Sequence, residues 1–135
     1  MLAFVRSLEG SWGIYAMNAD GSDERCLTRH GQPVAYPEWS PDGSQIAFHK
    51  HQSDAVWSIY VMDADGSHER RLTHTATQDA APVWSPDGSQ IAFSRSSDIW
   101  IMNADGSDQR PLKAHGSLSR QTATPALRSI PTSIS

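Results

Sequence analysis

The chain has 135 residues, 38% of them hydrophobic and 19% charged, with a formal net charge of −4 at pH 7. That length suits one ordinary domain with a modest core. Acids and bases are mixed along the text with no basic stripe, which speaks against a nucleic-acid partner, since neutralising phosphates takes clustered Lys and Arg.

In chain order, the first apolar segment is Leu2-Ala3-Phe4, followed by IYAM at residues 14–17 and MNADGSDERCLT at 17–28. Residues 39–48 read WSPDGSQIAF, and the same ten residues recur unchanged at 84–93. IYVM at 59–62 leads into MDADGSHERRLT at 62–73, and IWIM at 99–102 leads into MNADGSDQRPLK at 102–113. Leu2-Ala3-Phe4 matches Ile46-Ala47-Phe48 and Ile91-Ala92-Phe93. The chain is therefore a repeat, and each unit is predicted to hold four short strands. Strand a ends at Trp39 or Trp84, b is SQIAF, c is the IYVM-like run, and d is the ER-L-T segment. No helix-period pattern survives the glycines and prolines, so the fold class is all-β.

On strand c, Ile59 and Val61 point one way and Tyr60 and Met62 the other, so both faces are apolar. A sheet with one wet face would alternate apolar and polar residues. Two buried faces predict four-stranded antiparallel sheets stacked face to face, the blades of a β-propeller. The turns have a mechanism too. Pro41-Asp42-Gly43 and Pro86-Asp87-Gly88 preset φ at proline and place glycine where the left-handed conformation closes an a–b hairpin. The Asn/Asp-Ala-Asp-Gly stretches at 18–21, 63–66 and 103–106 offer the same geometry for c–d hairpins.

Met17 to Trp39 and Met62 to Trp84 are both 22 residues, whereas Phe48 to Ile59 is 11 and Phe93 to Ile99 is 6. All the length variation falls in the b–c segments. One rim of the blades is fixed text, and the other, built from b–c and d–a connections, is rewritten in every unit.

WSPDGSQIAF followed by IYVMDADGSHERRLT resembles the TolB-type β-propeller repeat, a WD40-like blade also found in the propellers of prolyl-oligopeptidase-type and tricorn-type peptidases. The resemblance covers about residues 2–112. It implies a propeller of six or seven blades that works through protein–protein contacts, in a family whose best-known member is periplasmic. The match to peptidases reaches only their non-catalytic part, so it carries over no catalytic residue. The departure lies in the blade count: about three blades are present, where a closed propeller has about 4–8. Residues 1–113 form the blades, the first lacking strand a, and residues 114–135 are a Ser/Thr/Pro-rich tail. Within that tail Ala123-Thr124-Pro125-Ala126-Leu127 can be laid on Ala35-Tyr36-Pro37-Glu38-Trp39 and on Ala80-Ala81-Pro82-Val83-Trp84, as a degenerate or exchanged inner strand. The chain is then a portion of a longer propeller, which ranks first, or half of a six-bladed ring closed by a homodimer.

Several polar side chains carry candidate chemistry. Asn18, Asp20, Asp63, Asp65, Asn103 and Asp105 put oxygens at alternate positions, as calcium loops do. The third position and the closing Glu are missing, and turn chemistry accounts for them first. His49 and His51 are two apart and could share a metal with Asp54, but a solvated loop ranks ahead because a structural zinc site needs four ligands. No nucleophile elbow is present, so no enzyme activity and no cofactor is expected. Cys26, the single cysteine, forms no intrachain disulfide and reads as a small hydrophobe on a strand. The N-terminus, interrupted by Glu9, does not read as a signal peptide, and no run approaches the ~20 apolar residues of a spanning helix. No membrane insertion is expected, and the compartment is not encoded.

Trp39 and Trp84 are expected in the core between blades. Trp12, His49, His51, Trp57 and Arg95 lie in or beside the variable segments and are the candidates for binding a partner. Packing beneath the loop is the competing reading for the two tryptophans. The wider candidate surface is residues 6–12, 49–57, 78–80, 94–98 and 29–32. The expected function is a non-catalytic scaffold module that binds a protein or peptide. The alternatives are an accessory propeller of a serine-peptidase-like or other multidomain enzyme, or a truncated or designed repeat array with no separate function.

Overall fold

A computed structural model of the chain describes residues 1–8, 11–28 and 33–112. It is all-β, with eleven strands in three antiparallel sheets among the described residues. The first sheet holds β1 (Leu2–Leu8), β2 (Ser11–Met17) and β3 (Arg25–Cys26), in that spatial order. The second holds β4 (Val34–Trp39), β5 (Gln45–Ser53), β6 (Val56–Asp63) and β7 (Arg70–Arg71). The third holds β8 (Asp79–Trp84), β9 (Gln90–Arg95), β10 (Asp98–Asn103) and β11 (Arg110–Pro111). The tail at 114–135, with the segment 123–127, lies outside the described residues, as do residues 29–32.

Both faces of the second sheet are buried. Ala47, Ile59 and Val61 pack with Trp84, Ile91, Phe93 and Met102 of the third sheet. From its other face, Ile46, Phe48 and Met62 pack with Ile14 of the first. Burying one such side chain contributes about 1.5–3 kcal/mol, so the two inter-sheet layers hold the blades in place.

The hairpins follow the turn chemistry of the sequence. Gly43 and Gly88 take φ of 76° and 75°, and their amides donate to the Ser40 and Ser85 carbonyls at 2.9 Å. Gly21, Gly66 and Gly106 have φ of 87–90° in the c–d turns. The a–b and c–d turns share one rim, joined where the Ala64 amide donates to the Ser44 carbonyl and that of Ala104 to Ser89, both at 2.9 Å. At the opposite rim the Trp57 amide donates to the Thr77 carbonyl at 3.0 Å.

Three local features differ from the sequence reading. The segment at 49–57, expected as a loop, continues the β5–β6 hairpin, with His49 opposite Ile59 and His51 opposite Trp57. Cross-strand pairing persists to a tight tip at residues 54–55, so length variation between blades is largely variation in strand length. Inner strands β4 and β8 carry a bulge where Tyr36 and Ala81 take φ of 55° and 54°, just ahead of Pro37 and Pro82. Proline has no ladder donor, and a bulge removes the need for one. Cys26 is exposed rather than buried, because it sits on the two-residue outer strand β3.

Candidate functional site

The aspartates of the turns have their oxygens engaged locally. Asp42 Oδ1 accepts from the Ser44 amide (3.0 Å), the Ser44 hydroxyl (2.7 Å) and the Ser40 hydroxyl (2.8 Å), which together hold its pKa down at about 2. Asp87 has the same three donors from Ser89 and Ser85 and is lowered likewise. Asp20, Asp65 and Asp105 are lowered by the hydroxyl, then the amide, of Ser22, Ser67 and Ser107. Asn18 and Asn103 donate from their side-chain amides to Ser22 and Ser107, while Asp63 pairs with His68 at 2.7 Å. Each pattern is an Asx turn carried by local backbone geometry.

The partner candidates divide in two. Arg95, expected on the rim, is buried: its Nε and Nη2 donate to Asp79 at 2.9 and 3.0 Å, and its guanidinium lies 4.4 Å from the Trp100 ring centroid. The inner strand supplies the opposing carboxylate at that register, Asp79 opposite Arg95. Asp79 has no distinguishing context in the repeated text, since Val34 stands opposite Lys50 in the preceding blade. His49 is buried as well, edge-on to Tyr36 and Trp57 at 4.8 and 4.9 Å. Its Nδ1 accepts from the Ala81 amide at 3.1 Å. His51 Nε2 donates to the Asp54 carbonyl at 2.7 Å, so the two histidines serve separate partners. Among the described residues no group of three His, Cys, Asp or Glu side chains is placed to hold a metal ion.

Burial lowers the His49 pKa from 6.5 to about 4. The neutral ring is favoured in the fold, and its Nδ1 could not accept from Ala81 once protonated. The unfolded chain therefore binds the proton first, so stability is full above pH 6.5 and falls as pH drops from 6.5 toward 4. A urea-midpoint titration across that window should show this loss with a slope approaching ~1.4 kcal/mol per pH unit. His49→Asn, which keeps an acceptor, should flatten it.

The exposed aromatics gather at the mouth of one cleft. Trp12 is 50% exposed and Tyr36 62%. They line a cavity of about 560 Å³ with Ala3, Val5, Pro33 to Glu38 and half-buried Trp57. The cleft runs between β1 and inner strand β4. Trp84 is buried and its Nε1 donates to the Glu38 carbonyl at 3.0 Å, one blade back. Trp39, its counterpart, is only half-buried as a residue, yet its Nε1 is buried without a partner among the described residues.

Four-stranded antiparallel sheets, stacked face to face with inner strands alongside one another, define a β-propeller. The chain belongs to the TolB β-propeller family: the family described as TolB beta propeller domain matches residues 31–129. It is 38% identical over 47 residues to the Tol-Pal system protein TolB of Nitrosomonas europaea, a stretch covering 35% of this chain and 11% of that protein. Among solved structures it is similar to a putative TolB from Agrobacterium tumefaciens, with TM-score 0.74 and 24% identity over 82% of this chain and 44% of the other. It is similar also to puromycin hydrolase, with TM-score 0.63 and 18% identity over 80% of this chain and 20% of the other. The chain thus spans less than half the length of these proteins, and the structural likenesses show the fold.

Proposed function

We propose that the chain is a non-catalytic protein- or peptide-binding module of the TolB type, which presents the b–c hairpin tips and d–a connections to its partner. The observation that carries this reading is Trp12, half-exposed at the rim where the blades differ in text. An aromatic held on a rigid hairpin loses little entropy on binding and can act as an anchor. His51 and Trp57 pair across the neighbouring hairpin, 5.0 Å between ring centroids, and extend the same aromatic rim. Arg95 and His49 support the rim from within and are not contact residues in this reading.

The relative's Tol-Pal name makes purified Tol-Pal proteins the first partners to test. Trp12→Ala should weaken binding by calorimetry about 30-fold or more, the effect of losing an anchor of about 2 kcal/mol. Unchanged affinity for both Trp12→Ala and a His51→Ala/Trp57→Ala double variant would remove the rim from consideration. The likeness to puromycin hydrolase supports a second reading, a propeller accessory to a hydrolase. Its discriminating observation is a catalytic domain encoded beside these blades.

A further inference from the structure

We propose that the cleft beside β1 is the seat of an inner strand supplied by residues 122–127 of a second copy of this chain, and that two copies joined in this way form one six-bladed ring. Four observations meet at that cleft. Strands β5 and β9 each pair with an inner strand, β4 and β8, whereas β1 pairs with β2 alone among the described residues. The edge of β1 and the flank of β4 leave a cavity of about 560 Å³, with Ala3 and Val5 on one wall and Val34, Ala35 and Pro37 on the other.

The indole of Trp39 supplies the second observation. In the next blade the equivalent indole, on Trp84, donates to the carbonyl of Glu38 in the preceding inner strand. Trp39 Nε1 is buried with no acceptor among the described residues, at the place where the corresponding carbonyl of a further inner strand belongs. A buried N–H left unpaired costs about 1–3 kcal/mol, and an incoming strand removes that cost.

The third is the text of the tail. Ala-Thr-Pro-Ala-Leu at 123–127 aligns with Ala-Tyr-Pro-Glu-Trp at 35–39, proline on proline. The family match extends to residue 129. Carrying over the β4–β5 register sets Leu127 opposite Leu2, Ala126 opposite Ala3, Ala123 opposite Val5 and Thr122 opposite Arg6. The Ala126 carbonyl then takes the Trp39 N–H. Thr122 lies ten positions after Leu112, where Val34 and Asp79 lie seven after Leu27 and Leu72, so the connection is long enough.

The fourth decides whose tail it is. Each internal connection, β3 to β4 and β7 to β8, carries the chain to the inner position of the next blade. A tail that followed β11 in the same sense would reach a blade beyond the third sheet rather than its own β1, two sheets back. The outer face of the third sheet carries Ala92, Ile99, Ile101 and Leu112. Those residues match Ala47, Ile59, Val61 and Leu72, which bind the next blade inside the chain. The outer face of the first sheet carries Phe4 stacked on Tyr15 with Arg6 above both, matching Phe48, Tyr60 and Lys50. The last face of one copy therefore fits the first face of another. This head-to-tail contact closes at two copies, because six blades lie within the range of closed propellers.

The test uses the full chain. Sedimentation should give twice the 14.8 kDa chain mass. With Cys26→Ser removing the native thiol, Ala3→Cys with Ala126→Cys should oxidise to a covalent dimer on a non-reducing gel. A monomer cross-linked to itself, or free thiols at a monomeric mass, overturns the proposal. Gly21→Ala gives a check that leaves the tail intact: no described residue of one copy lies within 4 Å of that Cβ, whereas the equivalent Gly66 and Gly106 abut the Leu27 and Leu72 carbonyls. It should shift the chain toward monomer without lowering its β-sheet circular dichroism. An unshifted dimer would mean that the ring contact is misassigned.

Discussion

Asp79→Ala is expected to destabilise the fold by about 3–5 kcal/mol, the cost of stranding a buried charge by removing its partner. The Asp79 side chain is fully buried and that of Arg95 is 9% exposed, and the two meet through two hydrogen bonds of 2.9 and 3.0 Å. Arg95 Nη2 also donates to Gln109 at 3.0 Å, but a neutral amide cannot replace the lost carboxylate. The loss should appear as a lower urea midpoint with an unchanged slope. Lys50, paired with Glu69 at 2.7 Å on the neighbouring blade, is the control. That pair is partly solvated, and Glu69→Ala should cost only about 0–1 kcal/mol. The double change Asp79→Val with Arg95→Met removes both charges at that register and should recover much of the single-variant loss, since an apolar replacement of a buried pair is often neutral. If Asp79→Ala is as mild as Glu69→Ala, the pair is hydrated in solution and the burial argument fails.

Gly66→Ala is expected to cost about 2–5 kcal/mol, combining the strain of a left-handed Ala with overpacking against fixed backbone. Gly66 has φ of 90°, and a Cβ there would collide with the Leu27 carbonyl oxygen of the preceding blade. Backbone cannot swing away as a side-chain tip can. Gly43 also has positive φ, 76°, but open space around its Cβ position. Gly43→Ala should therefore cost only the conformational part, about 1–2 kcal/mol. Thermal melts of the two variants separate the contributions, and equal losses would show that the turn conformation alone matters at position 66.

The turn at 63–66 was legible because Asx and Gly there are required by local backbone geometry, and the observed φ of Gly66 follows from that requirement alone. Its closeness to Leu27 was not legible, because the same four-residue pattern at 18–21 has no such neighbour. Arg95 shows the same division. Its place just beyond the repeated IAF was visible, but burial was decided by Asp79, sixteen residues away, on an inner strand whose counterpart has valine. His49 and His51 were misplaced onto a loop because length variation between units looks alike whether it falls in coil or in paired strand. The pairing of His51 with Trp57 makes it strand.

The all-β class, the blade period, the hairpin turns and the two apolar faces of each sheet follow from the amino-acid text. All of these depend on periodicity and φ preferences within a few residues of one another. Packing between blades sets which candidate side chains reach solvent, where a carboxylate meets a guanidinium, and that one indole N–H of two identical Trp-Ser-Pro-Asp-Gly turns has an acceptor while the other has none among the described residues. Those outcomes depend on the neighbouring blade, and identical text cannot encode a difference that lies in what stands beside it.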